Sequence, residues 1–244
     1  MEIGKVPYKY ADELKKHYDV FGSFYDLQEN NQIIPCRNVL EIVPKGQNLA
    51  GINVASLYKE EPDAVFIMMN PGSSTPLPNT LALPTHQCTA NLSTETLQYP
   101  IVTAKPDITQ YMVMNVMEMK HWNRVRILNL SDFREPNSKI FFAKIVAFFN
   151  NHHNHLHSIF YPARRQELEM ALGTKTKPIV VAWGQDRQLI TLATLCKEGL
   201  SGYQCTGLFT DTKKLLCRHA SPTLHKAKEM WLQDITSLLG KKYM

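Results

Sequence analysis

Three short apolar runs constrain this chain more than any other feature. Residues 64–69 (AVFIMM), 125–130 (VRILNL) and 178–183 (PIVVAW) are too short for ordinary globular helices and too apolar for strands with one wet face. Such runs are strands buried on both sides of a sheet, and other elements must cover both sides. Helical patterns follow the second and third runs. Residues 138–150, opened by Pro136 and Asn137, carry Ile140, Phe141, Ile145, Phe148 and Phe149 as one stripe, and residues 188–197 carry Leu189, Ile190, Leu192, Ala193 and Leu195. A last helix is predicted over 222–239, with a Ser-Pro start and Leu224, Ala227, Trp231, Ile235 and Leu238 on one side. Strand–helix alternation of this kind predicts an α/β fold, a three-layer α/β/α sandwich around a central, mainly parallel four-stranded sheet. The fourth strand is read at 214–217.

The chain has 244 residues, 44% of them hydrophobic, enough for one sizeable core. It is read as a single domain over 1–244, with residues 1–60 as an N-terminal extension packed on it and 73–106 as a long insertion or lid. The extension holds one predicted helix near 10–18. The insertion combines Pro76, Pro78, Pro84, Pro100 and Pro106 with many Ser, Thr and Asn, and loops of that length in a small domain are usually functional or disordered. No run of eighteen apolar residues predicts a membrane span, and the N-terminus lacks the apolar stretch of a signal peptide, so a cytoplasmic protein is expected. The five cysteines form no CxxC pair, which predicts reduced thiols rather than a disulfide framework, zinc ribbon or iron–sulfur cluster. A net charge of +5 is compatible with a polyanionic partner without demanding one.

Ligands of open parallel sheets bind outside the C-terminal ends of the strands. The first run ends in Asn70-Pro71-Gly72-Ser73-Ser74, the second in Asn129-Leu130-Ser131-Asp132 and the third in Trp183-Gly184-Gln185-Asp186. The fourth segment runs into Arg218-His219-Ala220-Ser221-Pro222. Amide, hydroxyl and imidazole groups are thus expected at one end of the sheet.

Here the chain resembles the uracil-DNA glycosylase superfamily over roughly residues 60–240. Met68-Met69-Asn70-Pro71-Gly72 is similar to the Gly-Ile-Asn-Pro-Gly first motif of its mismatch-specific branch, and His219-Ala220-Ser221-Pro222-Thr223-Leu224 to its late His-Pro-Ser-Pro-Leu motif. Between them, Ile127-Leu128-Asn129 resembles the strand whose Asn reads the base, and Val181-Ala182-Trp183-Gly184 a further family strand. The resemblance implies a monofunctional DNA glycosylase that flips out and excises a pyrimidine, leaving an abasic site, with duplex DNA as partner and neither cofactor nor metal. It implies that His219 donates to the pyrimidine oxygen as charge develops, a contribution on the order of 3 kcal/mol, and that Asn70 holds the attacking water. Asn129, with Gly72 and Met69, would bind the flipped base. Ser73, Ser74, Ser221, Arg218 and Lys226 would contact DNA, and Leu224 or Thr223 would fill the gap in the base stack.

Three departures shape the substrate expectation. Asn70 stands where the most active uracil branch has Asp, which implies slower chemistry. Gly72 stands where that branch has a Tyr that blocks the pyrimidine 5-position, so a 5-substituted base is expected. The preferred substrate is a modified cytosine in phage DNA, attacked as an antiviral defence. Ala220 replaces a Pro and implies a less rigid late loop. The alternatives are a uracil or mismatch repair glycosylase, a non-catalytic nucleic-acid binder of the same fold, and an enzyme acting on free nucleosides or nucleotides.

Several features have plainer readings. Asn-Pro-Gly alone is a common turn. Asp132 and Asp186 are read as a helix cap and a turn residue rather than general bases, and Trp183-Gly184 as packing and turn geometry. The methionines at 112, 114, 117 and 119 are core filler, and Arg164-Arg165 a solvated pair. His153 and His157 are spaced to share a helical face, but no nearby carboxylate or cysteine completes a metal set, so a polar loop is preferred.

Overall fold

A computed structural model describes residues 8–29, 32–87 and 92–240. In chain order the elements are α1 (Ala11–His17), β1 (Tyr18–Glu29), β2 (Gln32–Pro44), α2 (Val54–Leu57), β3 (Ala64–Met68), β4 (Thr75–Pro76), β5 (Thr85–Gln87), α3 (Leu92–Glu95), β6 (Val102–Lys105), α4 (Ile108–Lys120) and β7 (Val125–Asn129). Then follow α5 (Ser138–His152), α6 (Arg165–Leu172), β8 (Ile179–Val181), α7 (Ile190–Gly199), β9 (Cys205–Gly207) and α8 (His225–Gly240).

The three apolar runs are strands β3, β7 and β8, buried along their whole length. They pair in parallel, and β9 continues the parallel set beside β8. The sheet as a whole is larger than a four-stranded parallel one. Among the described residues it is mixed and nine-stranded, ordered β4-β6-β1-β2-β7-β3-β8-β9, with β5 beside β1. The antiparallel hairpin β1–β2 joins it through β7. The fourth parallel strand is also not residues 214–217; that segment makes only an isolated bridge, Cys217 to Phe209. The final helix begins at His225, so Pro222 lies in the loop before it.

The hairpin escaped the apolar pattern because its buried face is studded with polar groups. Ser23, Arg37, Asn38 and Glu41 are all fully buried. Glu41 pairs across the sheet with Arg126 of β7, whose Nε donates to Glu41 Oε2 at 3.1 Å. The Arg126 guanidinium also donates to the carbonyls of Leu57, Glu60 and Ala171, and packs 4.8 Å from the Tyr58 ring centre. A buried charge is tolerable only when paired and hydrogen-bonded in this way.

Apolar side chains lie against both faces of the sheet. Val65 and Ile67 of β3 belong to one cluster with Phe141, Phe148, Leu168, Leu192 and Cys196 of α5, α6 and α7. The alternate residues Ala64, Phe66 and Met68 join Leu14 of α1, Met112, Met114 and Met117 of α4, and Trp231 and Ile235 of α8. The methionines thus fill core space, with Met119 packed at its margin. Burying each large apolar side chain contributes about 1.5–3 kcal/mol against conformational entropy.

Residues 73–106 do not form one irregular lid. They contribute β4, β5 and β6, with β6 antiparallel to β1 and β5 parallel to it, and they bury Leu92, Tyr99 and Ile101. Cys88 lies outside the described residues; Cys36, Cys196, Cys205 and Cys217 are free thiols. Among the described residues no helix is long and apolar enough to cross a membrane.

Candidate active site

The ends of β3 and β7 are tied together beyond their last paired residues. Leu130 N–H donates to the Met68 carbonyl at 2.8 Å and Ser131 N–H to that of Met69 at 3.2 Å. This places Asn70 and Asn129 side by side. The loop carrying His219 is fixed by two backbone bonds, Cys217 N–H to Gly184 O at 3.1 Å and Arg218 N–H to Leu208 O at 2.9 Å. Ala220 is fully buried in the core behind it. Together these segments wall a cavity of about 240 Å³, lined by Met69, Asn70, Gly72, Ser73, Asn129 and His219 among others.

The neighbours of Asn70, Asn129 and His219 set how each presents itself to the cavity. Asn70 Nδ2 donates to the carbonyls of Phe133 at 3.2 Å and Glu135 at 2.6 Å, so both its amide protons are used and Oδ1 is left as an acceptor. Asn129 is fully buried, and its amide is assigned from its neighbours: Nδ2 faces the Asn70 carbonyl at 3.2 Å and donates to it, and Oδ1 faces Arg37 Nη2 at 3.1 Å and accepts from it. One amide proton and one lone pair of Asn129 remain. His219 Nδ1 accepts from the Ser221 N–H at 3.1 Å, so in the neutral ring the proton sits on Nε2. Burial pushes the His219 imidazole below the ordinary histidine range and favours that neutral form.

Two groups that sequence reasoning missed complete the site. Asp107 lines the cavity from the start of α4, where its Oδ1 accepts from Thr109 N–H at 2.8 Å and Gln110 N–H at 3.3 Å, closing a capping box with Gln110. Asp followed three residues later by Gln, ahead of an apolar run, is a readable cap signal, but nothing in it marks a cavity residue. Arg37 is fully buried behind Asn129, and among the described residues its Nε and Nη1 have no hydrogen-bond partner. Burial pushes its guanidinium down to about 10. An incompletely satisfied buried cation is costly; Arg37 is tied to the cavity through Asn129 and through the charge of Asp107.

Gly72 adopts φ +60, in the left-handed region. The room above it is not empty: a Cβ built there would lie 2.7 Å from Asp107 Oδ2. The space expected for a 5-substituent therefore ends in a carboxylate oxygen.

The residues proposed for DNA contact divide. Ser73 is exposed at the cavity mouth, whereas Ser74 is fully buried and its carbonyl accepts from Arg134 Nε at 2.9 Å. Leu224 is 72% exposed, and Thr223 and Lys226 are exposed beside it. Ser221 is partly buried, and Arg218 pairs with Asp234 at 2.7 Å.

The other features resolve apart from the cavity. Trp183 lines a separate space of about 210 Å³, its Nε1 donating to the Leu215 carbonyl. Asp186 caps the turn at Gln188. Asp132 caps no helix; it is fully buried, accepting from Tyr25 Oη at 2.7 Å and Arg164 Nη1 at 2.6 Å. Arg164 is correspondingly buried, not solvated, and also pairs with Glu167. His153 ends α5 in a left-handed conformation, while His157 is buried with Nδ1 2.9 Å from Ser131 Oγ. Among the described residues no group of three His, Cys, Asp or Glu side chains is placed to hold a metal. Compared with protein-family models, with curated proteins and with solved structures, the chain matches none.

Proposed function

We propose that this chain is a monofunctional DNA glycosylase of uracil-DNA glycosylase-like, three-layer architecture, acting in the cytoplasm on a flipped pyrimidine. The observation that carries the reading is the meeting of Asn70, Asn129 and His219, from three distant segments, around one cavity at the C-terminal end of parallel strands. Helical packing on both faces of the sheet supports the architecture.

The chemistry follows from the orientations. Cleavage of an N-glycosidic bond develops positive charge on the sugar and negative charge on the departing base. His219, neutral and protonated on Nε2, donates to the base oxygen as that charge grows. Asn70, with both amide protons engaged, turns Oδ1 toward a water that attacks the anomeric carbon. Exposed Leu224 fills the vacated stack, and Ser73 and Lys226 attract the flanking phosphates.

The preferred substrate remains a modified cytosine, as in phage DNA, which would make the protein an antiviral defence enzyme. A uracil or mismatch repair enzyme is the alternative. A non-catalytic binder of the same fold is a second reading, favoured by Asn70 itself, since an amide cannot take a proton from water. Alkali-revealed cleavage of labelled oligonucleotides separates these readings. Base-specific cleavage abolished by Asn70→Ala supports excision, and base-specific binding without cleavage supports the binder.

A further inference from the structure

Asp107 supplies the only carboxylate among the described residues lining the cavity. Its two oxygens are not equivalent. Oδ1 is held by the N–H groups of Thr109 and Gln110, while Oδ2 has no hydrogen-bond partner among the described residues. Oδ2 occupies the space a side chain at position 72 would fill, 2.7 Å from the site of a Cβ. Gly72 and Asp107 therefore build one wall together: the glycine leaves room, and the carboxylate fills it with an acceptor.

We infer that Asp107 determines base specificity, and that it selects a pyrimidine presenting a hydrogen-bond donor on its 4,5-edge. The 4-amino group of a cytosine, or a 5-hydroxymethyl group, donates to Oδ2. The 4-carbonyl of uracil or thymine would set oxygen against oxygen, and an acceptor facing an acceptor once a base has displaced the water between them is disfavoured. This inference rests on the reading that the cavity receives a flipped base with its 5-position toward Gly72. Asn129 does not decide the choice alone, because it keeps both a donor and an acceptor after its bonds to Asn70 and Arg37.

The discriminating variant is Asp107→Asn. Asparagine preserves the helix cap through its carbonyl oxygen, and puts an amide donor where Oδ2 stands. Binding is measured by fluorescence anisotropy on duplexes carrying 2′-fluoroarabino cytidine, 5-hydroxymethylcytidine, uridine or thymidine, which resist glycosidic cleavage. Cleavage is measured in parallel on the ordinary deoxynucleotides. Wild type is expected to favour the two cytosine-type bases roughly ten- to a hundred-fold, and Asp107→Asn to shift that preference toward uracil and thymine by a similar factor. Should Asp107→Asn fail to fold, Asp107→Ser keeps a cap without Oδ2 and is expected to level the preference. The predicted base order in binding, without cleavage, upholds Asp107 and removes the excision reading. Cleavage with an unchanged base order, or with every base reduced alike, overturns the role of Asp107 and leaves excision standing. No base-dependent binding by either protein overturns both.

Discussion

The backbone N–H of Ser221 donates to Nδ1 of His219, and that bond decides which ring nitrogen carries the proton. Burial lowers the His219 pKa from its ordinary value near 6.5, so the ring is neutral at pH 7 with Nε2–H free to donate. Acidification through the lowered pKa puts a second proton on Nδ1, against the Ser221 N–H. Single-turnover excision is therefore predicted to be level through neutral pH and to fall only below the ordinary histidine range. His219→Ala should lose about 100-fold in rate, the contribution of one preorganised donor. A rate that rises on acidification would contradict this assignment.

Asn70 cannot be improved by making it the stronger base. Its Nδ2 faces the carbonyls of Phe133 and Glu135. In Asn70→Asp a carboxylate oxygen would face those two oxygens, at a cost of about 1–3 kcal/mol for the lost and opposed bonds. Chemical denaturation should show that loss, and excision at pH 7 should not exceed wild type. A faster, equally stable Asn70→Asp enzyme would show that the Asn70 amide is not held as described.

Gly72 is required twice, by φ +60 and by the neighbouring carboxylate. Gly72→Ala should cost about 1–3 kcal/mol from backbone strain alone, with a further loss from the contact with Asp107. In the Asp107→Ser background the contact part should disappear, giving a non-additive double-mutant cycle. Additive losses would mean that Oδ2 does not crowd position 72.

Arg37 is predicted to trade stability for function. It is buried with two nitrogens unpartnered and its pKa pushed down to about 10, yet it holds Asn129 Oδ1. Arg37→Met removes a poorly satisfied buried charge at similar bulk, and that gain offsets the cost of leaving Asn129 Oδ1 without its donor. The melting temperature should hold or rise while affinity for the preferred duplex falls about ten-fold, the effect of one misdirected polar group. A large drop in melting temperature would make Arg37 a structural cation instead.

How far the sequence discloses this molecule depends on whether burial and polarity agree. Strands β3, β7 and β8 are legible because both their faces are dry, and Asn70, Asn129 and His219 are legible because they follow strands or resemble ordered motifs. The β1–β2 hairpin is hidden because Arg37, Asn38 and Glu41 are polar yet fully buried; Glu41 and the Asn38 amide nitrogen find partners far along the chain, Arg124 and Glu167. Arg164 misleads for the same reason, since Asp132 and Glu167 bury it. Strand β9 is only three residues, Cys-Thr-Gly, and the more apolar segment at 214–217 draws attention from it. Asp107 is visible as a cap, but its second oxygen over Gly72 is a consequence of tertiary folding that no local pattern contains.

Asn70 and His219 are proposed to form an excision site. The most direct test is alkali-revealed strand cleavage by purified protein on labelled oligonucleotides carrying uracil, thymine opposite guanine, 5-hydroxymethylcytosine or its glucosylated form. Asn70→Ala and His219→Ala proteins of wild-type circular dichroism serve as controls. The account predicts cleavage at a cytosine-type base, lost in both variants. Cleavage that survives in either variant at the wild-type rate would contradict it.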